Sequence, residues 1–507
     1  MRDNSLMSLP ENIQSQKDIT INLPSRPLRY YRHGWQSWSL TAWQDVNRRI
    51  PPPKPAILHP LQTDPRYVHE TRPHGSWVGA AEMKNGNILL LGALGLDAHI
   101  FLDGNQLIGQ YEKDAGKWLI AEGSEKEVFA QYAAKLQETE FFQKTRFLHT
   151  PKIWCSWYSF YTHISEQNLG KVLHTLGNLP FDVFQVDDGW QRAIGDWTPN
   201  DKFPSGMDGF AAQIRRSGRA PGIWLAPFIV TPSSNIYRQH PNWLLRDKKQ
   251  NLVSAGFNWG EPLYALDTTR SEVLEWLSAL TQKVRGWGYD YVKLDFLYAG
   301  ALPGMRHQPI PREQAYRQGL KVMREALGDA YLLTCGAPII PSLGLCDGLR
   351  VGPDVTSHWS SYRDDVLLSN FAIPGTRNAI RTTVNRLWLK SLVHTDPDVA
   401  YFASDRNTMT AEQEKMLQDL ALTCDYKATS DLPSWLRAEE YANLEIFLNA
   451  KNKALEEVDF SAAMPLPKAN WIEKMLGALL GWLGNIPFVM KFFRWLAEFE
   501  VKKNLPH

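Results

Sequence analysis

The sequence predicts an α/β fold: a central (β/α)8 TIM barrel, preceded by an N-terminal β-sandwich-like domain and followed by an atypical helix-rich C-terminal tail. From residue 148 to residue 432, short apolar runs alternate with amphipathic helical patterns, which is typical of parallel strands joined by helices. About eight such runs match the strand number of a (β/α)8 barrel. Before them, segments of alternating polarity separated by turn residues indicate antiparallel strands.

The first region, residues 1–147, is predicted to be mostly β-structure. Its segment NILLLGALGLDAHIFLDGNQLIGQY places an Asp103-Gly104 turn between two alternating runs, which is a hairpin signal. The segment EKEVFAQYAAKLQETEFF then predicts a closing helix.

The second region, residues 148–432, carries the predicted barrel. Its helices include SEVLEWLSALTQKVRGWG and REQAYRQGLKVMREAL. The linker CGAPIIPSLGLCDG between the fifth and sixth strands is too short for a full helix, so a doubly wound sheet is the alternative. The strands are predicted to begin near Ile153, Val183, Pro221, Tyr289, Tyr331, Gly348, Leu392 and Ala421.

The tail, residues 433–507, differs from both regions. The segment WIEKMLGALLGWLGNIPFVMKFFRWLAEFEVKK is apolar and helical in pattern, with a break at Pro487. Its uncharged run, Met475 to Met490, is short for a membrane span. We expect it to pack on the barrel or on another subunit; attachment to a membrane surface is the alternative.

Charge and composition limit the partners of this 507-residue chain. The 55 Lys and Arg residues nearly balance the 54 Asp and Glu residues, which argues against nucleic acid or an anionic membrane as a partner. The 20 tryptophans suit either core packing or stacking on sugar rings. An oligomer is left open.

Other sequence signals point to a cytoplasmic protein without a cofactor or metal. The 4 cysteines have neither disulfide nor zinc spacing, so reduced thiols are expected. The start, MRDNSLMSLPENIQSQKD, lacks the basic and apolar parts of a signal peptide. Dinucleotide, P-loop, zinc-protease and serine-hydrolase motifs are absent from the sequence.

Carboxylates fall where strands of the predicted barrel end, which is where barrel enzymes place their active sites. Asp187 and Asp188 end the second strand, in VFQVDDGW. Adjacent buried carboxylates need hydrogen-bond donors, and sugar hydroxyls are suitable ones. The alternative is a helix cap plus a surface charge.

Lys293 and Asp295 end the fourth strand, in YVKLDF, and the two-residue period of a strand puts them on one face. The ammonium is expected to keep the carboxylate ionised, which suits a nucleophile. The alternative is a structural salt bridge inside the barrel.

Arg350 and Asp354 end the sixth strand, in DGLRVGPDV. A second carboxylate is what glycoside chemistry requires, since one group attacks and the other protonates the leaving oxygen. The alternative is an Arg–Asp pair in a loop.

Aromatic residues accompany these carboxylates. CSWYSFY places Trp157 and Tyr158 on the first strand, and GIWLAPF places Trp224 on the third, where each is expected to pack. HGWQSW, with Trp35 and Trp38, is predicted to be an exposed loop that reaches a neighbouring site.

The strings FQVDDGW…GDW, GIWLAPF, YVKLDFLYAGALPG, LLTCGAP and CDGLRVGPDV closely resemble the α-galactosidases of glycoside hydrolase family 36, in particular the compact bacterial forms. The resemblance covers roughly residues 30–440 and keeps the motif order. It implies an N-terminal sandwich, a (β/α)8 barrel and a small C-terminal β domain. The helical pattern of the tail departs from that last domain, and the N-terminal domain is shorter than usual.

The resemblance also implies roles. Asp295 is the expected nucleophile, and Asp354 the expected acid and then base. The expected substrate-binding residues are Asp187, Asp188, Lys293, Arg350, Trp224, Trp157, Tyr158, Cys335 and Trp38, the last reaching in from the sandwich domain. The implied activity is a retaining exo-α-galactosidase acting on small oligosaccharides such as melibiose or raffinose. An α-galactosyl transferase like raffinose synthase, or a non-catalytic sugar-binding protein, is the alternative.

Overall fold

The computed structural model describes residues 12–486 and 488–489, which divide into two compact units. The first, here the strand-rich unit, holds the described residues 12–34, Thr41–Ile50 and Glu70–Gln143. The second, here the barrel unit, holds Trp35–Leu40, Pro51–His69 and the described residues from Lys144 onward. Three segments of the predicted first region, 35–40, 51–69 and 144–147, therefore belong to the barrel unit.

The strands are β1 (Asn12–Gln16), β2 (Asp18–Asn22), β3 (Arg29–Arg32), β4 (Ala42–Asp45), β5 (His74–Ser76), β6 (Val78–Glu82), β7 (Ile88–Ala93), β8 (Ala98–Asp103), β9 (Gln106–Tyr111), β10 (Gly116–Gly123), β11 (Ile153–Cys155), β12 (Val183–Val186), β13 (Gln191–Ala193), β14 (Asp196–Pro199), β15 (Ala220–Leu225), β16 (Ile229–Val230), β17 (Ser254–Asn258), β18 (Glu261–Ala265), β19 (Tyr291–Leu294), β20 (Tyr331–Thr334), β21 (Gly348–Arg350), β22 (His394–Asp396) and β23 (Ala428–Thr429).

The α-helices are α1 (His59–Gln62), α2 (Glu125–Gln137), α3 (Trp157–Phe160), α4 (Glu166–Thr175), α5 (Gly206–Arg216), α6 (Asn235–Gln239), α7 (Ser271–Gly286), α8 (Arg312–Leu327), α9 (Ile339–Ser342), α10 (Thr376–Val384), α11 (Ala411–Cys424), α12 (Ala438–Asn449) and α13 (Trp471–Leu483).

The strand-rich unit contains two antiparallel sheets, in the orders β1-β10-β7-β6-β3-β4 and β2-β9-β8-β5. The predicted hairpin is confirmed, since Asp103 of β8 pairs with Gln106 of β9. Gly104 in its turn has a φ of +59°, a conformation that glycine adopts without strain. The predicted closing helix is α2, which starts at a capping box of Ser124 and Glu127.

Eight parallel strands form the predicted barrel, in the order β22-β21-β20-β19-β15-β12-β11-β23. The last strand pairs with the first, with Ile153 opposite Ala428. Beyond β22, the Ala400 amide donates to the Ala428 carbonyl at 2.8 Å, which connects the remaining pair. In a (β/α)8 barrel, parallel strands that follow one another in the sequence are neighbours around a closed ring. The observed order has this arrangement, so the barrel prediction is confirmed.

Seven of the predicted strand starts lie within two residues of the observed ones, but the eighth is wrong. Ala421 lies in α11, and the eighth strand is β23. The apolar run near Ala421 is the buried face of this helix, which begins at a capping box of Thr410 and Gln413. In a short buried run the apolar residues are nearly continuous, so their spacing does not distinguish a helix from a strand.

The helices between the strands follow the sequence closely. Helices α7 and α8 occupy the two predicted amphipathic segments. The linker between the fifth and sixth strands holds only the single turn α9. The neighbouring parallel strands β20 and β21 are therefore joined by a short crossover that contains no full helix.

The described part of the tail is helical, as predicted, with α12 and α13. Helix α13 packs against the segment Tyr362–Leu367 of the same unit, as expected for a segment that packs on the barrel. The predicted break at Pro487, the last residue of the predicted uncharged run, Met490, and the rest of the apolar segment fall outside the described residues. Within the described ranges, no helix combines the length and apolar character that a membrane crossing requires.

Candidate active site

A cavity of about 700 Å³, open mouth included, lies at the carboxyl ends of the barrel strands. Its walls come from strand ends and from the loops that follow them. The lining residues are Trp38, Leu61, Gln62, Trp157, Asp187, Asp188, Trp224, Asn258, Trp259, Lys293, Asp295, Phe296, Pro353, Asp354, Ala372 and Pro374. Four carboxylates and one ammonium thus share one mostly apolar chamber, which is the usual composition of a small-molecule site.

Asp187 follows β12 and is held by three donors and an ion pair. Its Oδ2 accepts hydrogen bonds from Gln185 Nε2 at 2.5 Å and from Cys155 Sγ at 3.6 Å. Lys293 Nζ lies 3.1 Å from the same oxygen. Its Oδ1 accepts from the Asp188 amide at 3.0 Å. These contacts fix the carboxylate although it is almost fully buried.

Asp188 is held by two side chains from other parts of the chain. Its Oδ1 accepts from Gln191 Nε2 at 2.6 Å, and its Oδ2 accepts from Trp259 Nε1 at 2.7 Å. Both donors hold the Asp188 carboxylate at the wall of the cavity.

Lys293 pairs with Asp187 rather than directly with Asp295, which the sequence pattern had suggested. Burial opposes its charge, but the carboxylates of Asp187 and, less strongly, Asp295 raise the pKa of Lys293 well above its ordinary value. The lysine therefore remains an ammonium at the cavity wall, and its field reaches Asp295 as a secondary effect.

Asp295 comes directly after β19 and is oriented by two donors. Its amide donates to the Leu225 carbonyl at 2.8 Å, which extends the ladder toward β15. Oδ2 accepts from Trp224 Nε1 at 3.0 Å, and Oδ1 accepts from the Phe296 amide at 2.8 Å. Phe296 has a φ of +52°, and this left-handed turn aims its amide at the carboxylate.

Asp354 lies four residues after Arg350, which ends β21, and Arg350 Nη1 is 3.1 Å from Asp354 Oδ1. Burial and the nearby carboxylate of Asp398 raise the pKa of Asp354 to about 7, despite the opposing charge of Arg350. The side chain is still 32% exposed, so its carboxyl group is accessible from the cavity. It can therefore exchange protons with a ligand near neutral pH.

Three of the predicted binding residues lie behind the cavity wall. Arg350 contacts Asp354 and two further carboxylates. Tyr158 donates its hydroxyl hydrogen bond to Asp398, and burial raises the pKa of this phenol. Cys335 is 1% exposed, and burial likewise raises the pKa of its thiol.

The structure places the predicted aromatic residues with two differences from expectation. Trp157 and Tyr158 lie in the single turn α3 after the first strand, and not on the strand itself. Trp38 lines the cavity from a segment of the barrel unit, at 5.2 Å from Phe296 between ring centroids.

The prediction that HGWQSW is an exposed loop is wrong. Trp35 is buried, and the fully buried Arg386 donates to the carbonyls of Gln36 and Ser37 at 3.0 and 2.7 Å. A guanidinium that donates to buried carbonyls satisfies these backbone acceptors of the loop, which favours its burial. Arg386 lies in a distant part of the sequence, so no local sequence pattern predicts this contact.

Trp259 is a site residue that sequence reasoning missed. It sits in the turn between β17 and β18, with a φ of +50°, and its indole meets Asp188. The signal was the string FNWGEP, in which a Trp-Gly turn separates two short alternating runs. Asn258, Leu61 and Gln62 were missed as well, and they show no comparable pattern.

Two carboxyl groups in one cavity, one of them with a pKa raised toward neutrality, provide the two roles that acid-assisted substitution at a sugar carbon requires. In the ranges 12–486 and 488–489, no group of three or more His, Cys, Asp and Glu side chains is arranged to hold a metal ion.

Comparison with known proteins identifies related chains. The Melibiase family model matches residues 122–327. Alpha-galactosidase AgaA of Geobacillus stearothermophilus is 29% identical over 184 residues, which is 33% of this chain and 24% of that protein. Alpha-galactosidase 1 of Pediococcus pentosaceus is 28% identical over 191 residues, or 35% of this chain and 25% of that protein. The match thus spans about a quarter of the length of these curated relatives.

A solved structure matches over most of both chains. TtGalA, an alpha-galactosidase from Thermus thermophilus in complex with p-nitrophenyl α-D-galactopyranoside, is 46% identical with a TM-score of 0.83. The alignment covers 87% of this chain and 89% of that one. A second TtGalA structure holds stachyose. The crystal structure of AgaA, a GH36 alpha-galactosidase, shares the fold at 16% identity, with a TM-score of 0.58 over 85% of this chain and 62% of that one.

Proposed function

Because this chain belongs to the α-galactosidases of glycoside hydrolase family 36, we propose that it is a retaining exo-α-galactosidase that removes terminal galactose from small oligosaccharides such as melibiose and raffinose. One observation carries the proposal: Asp295 and Asp354 line the same cavity. The two carboxyl groups differ in environment, since indole and amide donors hold Asp295, whereas burial raises the pKa of Asp354 to about 7.

In the first step, the Asp295 carboxylate attacks the anomeric carbon while Asp354 gives its proton to the glycosidic oxygen. The carbon–oxygen bond to the aglycone breaks, and galactose becomes esterified to Asp295. Trp224 and the Phe296 amide hold the attacking oxygens in place. Asp354 suits the acid role because an acid with a pKa near 7 still carries its proton at neutral pH.

In the second step, the Asp354 carboxylate takes a proton from water, whose oxygen attacks the anomeric carbon and releases Asp295. Two inversions at one carbon give net retention of the α configuration. Asp187 and Asp188 supply acceptors for the O4 and O6 hydroxyls of galactose. Lys293 donates to a neighbouring hydroxyl, because its ammonium carries three hydrogens and the contact with Asp187 Oδ2 at 3.1 Å uses one of them.

The proposed substrate range is supported by the ligands of similar solved structures. The TtGalA structures hold p-nitrophenyl α-D-galactopyranoside and stachyose, which favours a small galactoside as the substrate of this chain. Free, buried cysteines support the proposed cytoplasmic location, since thiols persist in reducing compartments.

The test is an assay of nitrophenyl α-galactoside, α-glucoside and α-N-acetylgalactosaminide side by side, with melibiose as the natural substrate. We expect release from the galactoside alone among the aryl glycosides. Proton NMR of the first product should show the α anomer of galactose before mutarotation. First release of the β anomer contradicts retention. Transfer of galactose to another sugar in preference to water, at high sugar concentration, points to a transferase instead.

A further inference from the structure

Three carboxylates surround the buried guanidinium of Arg350. Asp354 Oδ1 lies 3.1 Å from its Nη1, Asp396 Oδ2 lies 2.8 Å from its Nε, and Asp398 Oδ1 lies 2.9 Å from its Nη2. Asp396 ends β22 and Asp398 follows it, so strand seven supplies two acids to the arginine of strand six. Only Asp354 of the three lines the cavity described above.

Asp398 makes further contacts that tie it to the loop of the proposed acid. Its Oδ2 accepts a hydrogen bond from the Val355 amide at 3.0 Å, and Val355 directly follows Asp354. The same oxygen accepts from the Tyr158 hydroxyl. Asp398 therefore links the ends of the first, sixth and seventh strands.

The backbone at Asp398 is strained in a way that keeps this geometry. Its φ is +83°, a region that residues with a side chain rarely occupy. Such strain persists only where surrounding contacts hold it, and it concentrates at functional sites. Here the Asp398 amide donates to Asp396 Oδ1 at 2.8 Å, which stabilises the turn.

We propose that Asp398 is the positioning residue of the acid Asp354, which it holds toward the glycosidic oxygen through the Val355 amide and through Arg350. The inference rests on the proposed function, since it assigns a residue to the acid step of that reaction. Asp398 is 2% exposed and lies behind the wall, so it acts on substrate only through Asp354.

Electrostatics give the contact a measurable consequence. The charged groups that face Asp354 are Asp398, Arg350, Lys293 and Asp295. The phenols Tyr158, Tyr161 and Tyr401 and the thiol of Cys335 also face it, and burial raises the pKa of each, so they stay neutral.

The carboxylate of Asp398 raises the pKa of Asp354, whereas Arg350 lowers it. Loss of the Asp398 charge therefore lowers the pKa of Asp354 and leaves less of the acid protonated at neutral pH.

The experiment compares Asp398→Asn with the matched variant Asp396→Asn. Each replaces one carboxylate on Arg350 by an isosteric amide, but only the first alters the group that holds Val355. The readout is kcat/KM for melibiose, whose leaving sugar needs protonation, and for nitrophenyl α-galactoside, whose leaving group needs little.

We expect Asp398→Asn to lower kcat/KM for melibiose by at least about tenfold more than for the aryl galactoside. As the pH rises, the activity of Asp398→Asn should also begin to fall at a lower pH than the activity of the wild type does. Asp396→Asn should change the ratio between the two substrates and the pH limb less than Asp398→Asn does, because it takes one carboxylate from Arg350 and leaves in place the group that holds Val355. Equal losses on both substrates, or the same change of ratio in both variants, overturn the assignment.

Thermal unfolding of each variant shows whether the fold is intact. If Asp398→Asn does not fold, Tyr158→Phe provides the second test, since it removes one hydrogen bond from Asp398 and keeps the charge. It should change the substrate ratio in the same direction by a smaller factor, and an unchanged ratio overturns the assignment.

A wild-type protein that releases no galactose from either substrate disproves the proposed function and this inference with it. An active wild type with unaffected variants disproves the inference alone.

Discussion

Lys293 and Asp187 form an ion pair inside the barrel, with 3.1 Å between Lys293 Nζ and Asp187 Oδ2. The side chains are 7% and 3% exposed, so neither charge is well solvated. Lys293 lies in β19 and Asp187 follows β12, and these two strands flank β15 in the sheet. The charge of each group therefore depends on the presence of the other.

Replacement of Lys293 by methionine should destabilise the protein strongly, because Asp187 is then a buried carboxylate without its cation. We expect the free energy of unfolding to fall by about 3–5 kcal/mol. The double variant Lys293→Met, Asp187→Asn should recover part of this loss. Chemical denaturation measures all three proteins.

The matched control is Lys321→Met, which removes a lysine from the exposed pair with Glu325 at 3.9 Å. Its effect should stay within about 0.5 kcal/mol. A loss at Lys293 no larger than at Lys321 contradicts the view that burial makes the Lys293–Asp187 pair important.

Replacement of Asp295 by alanine should remove the proposed nucleophile. We expect kcat for melibiose to fall by at least about three orders of magnitude, equivalent to ~4 kcal/mol of transition-state stabilisation. Steady-state kinetics with the natural and the aryl substrate measure the loss. The control is Asp290→Asn at the opposite end of the same strand, where Asp290 pairs with Arg215 at 2.6 Å. Near-normal turnover in Asp295→Ala disproves the assignment.

Much of this site could be located from the sequence, because strand periodicity and the end of each apolar run mark the barrel mouth. Asp187, Asp188, Asp295 and Asp354 were all placed at strand ends, and all four line the cavity. The partner of Lys293 could not be predicted in this way. Residues of one face along a strand are about 6.6 Å apart, whereas alternate strands of a barrel contribute side chains to a common layer. The Lys293–Asp187 pair follows this second rule, since it joins the fourth strand to the second.

The contacts that the sequence did not predict depend on distant loops. Trp259 reaches Asp188 from a hairpin, and Arg386 holds the segment of Trp38. Both contacts require the tertiary fold to be known first. The wrong prediction of the eighth strand could have been avoided from the local sequence, because Thr410 and Gln413 form a capping-box pattern that marks the start of a helix.

The rate should depend on pH through Asp354. Its pKa is raised to about 7, and the first step needs the protonated form. As pH rises past that value, the protonated fraction falls, so kcat/KM for melibiose should decline on the basic side. Asp354→Asn should lose this limb together with most of the activity on melibiose, while the aryl galactoside is affected less at the first step. A kcat/KM for melibiose that rises steadily to pH 9 contradicts this role for Asp354.

Helix α13 docks through glycines, and this contact predicts the effect of a single methyl group. A Cβ on Gly477 would lie 1.7 Å from the Leu367 carbonyl oxygen, and one on Gly481 would lie 2.9 Å from Lys54 Cδ. The first obstacle is backbone and cannot move aside alone, whereas the second is a flexible side chain. Gly477→Ala should therefore separate α13 from the segment Tyr362–Leu367 and cost about 1–3 kcal/mol of stability.

Limited trypsin digestion should then cut the Gly477→Ala variant faster at Lys474 than the wild type. Ala478→Ser, on the exposed side of the same helix turn, is the control and should digest as the wild type does. Unchanged cleavage in Gly477→Ala means that close approach at Gly477 does not hold α13 in place.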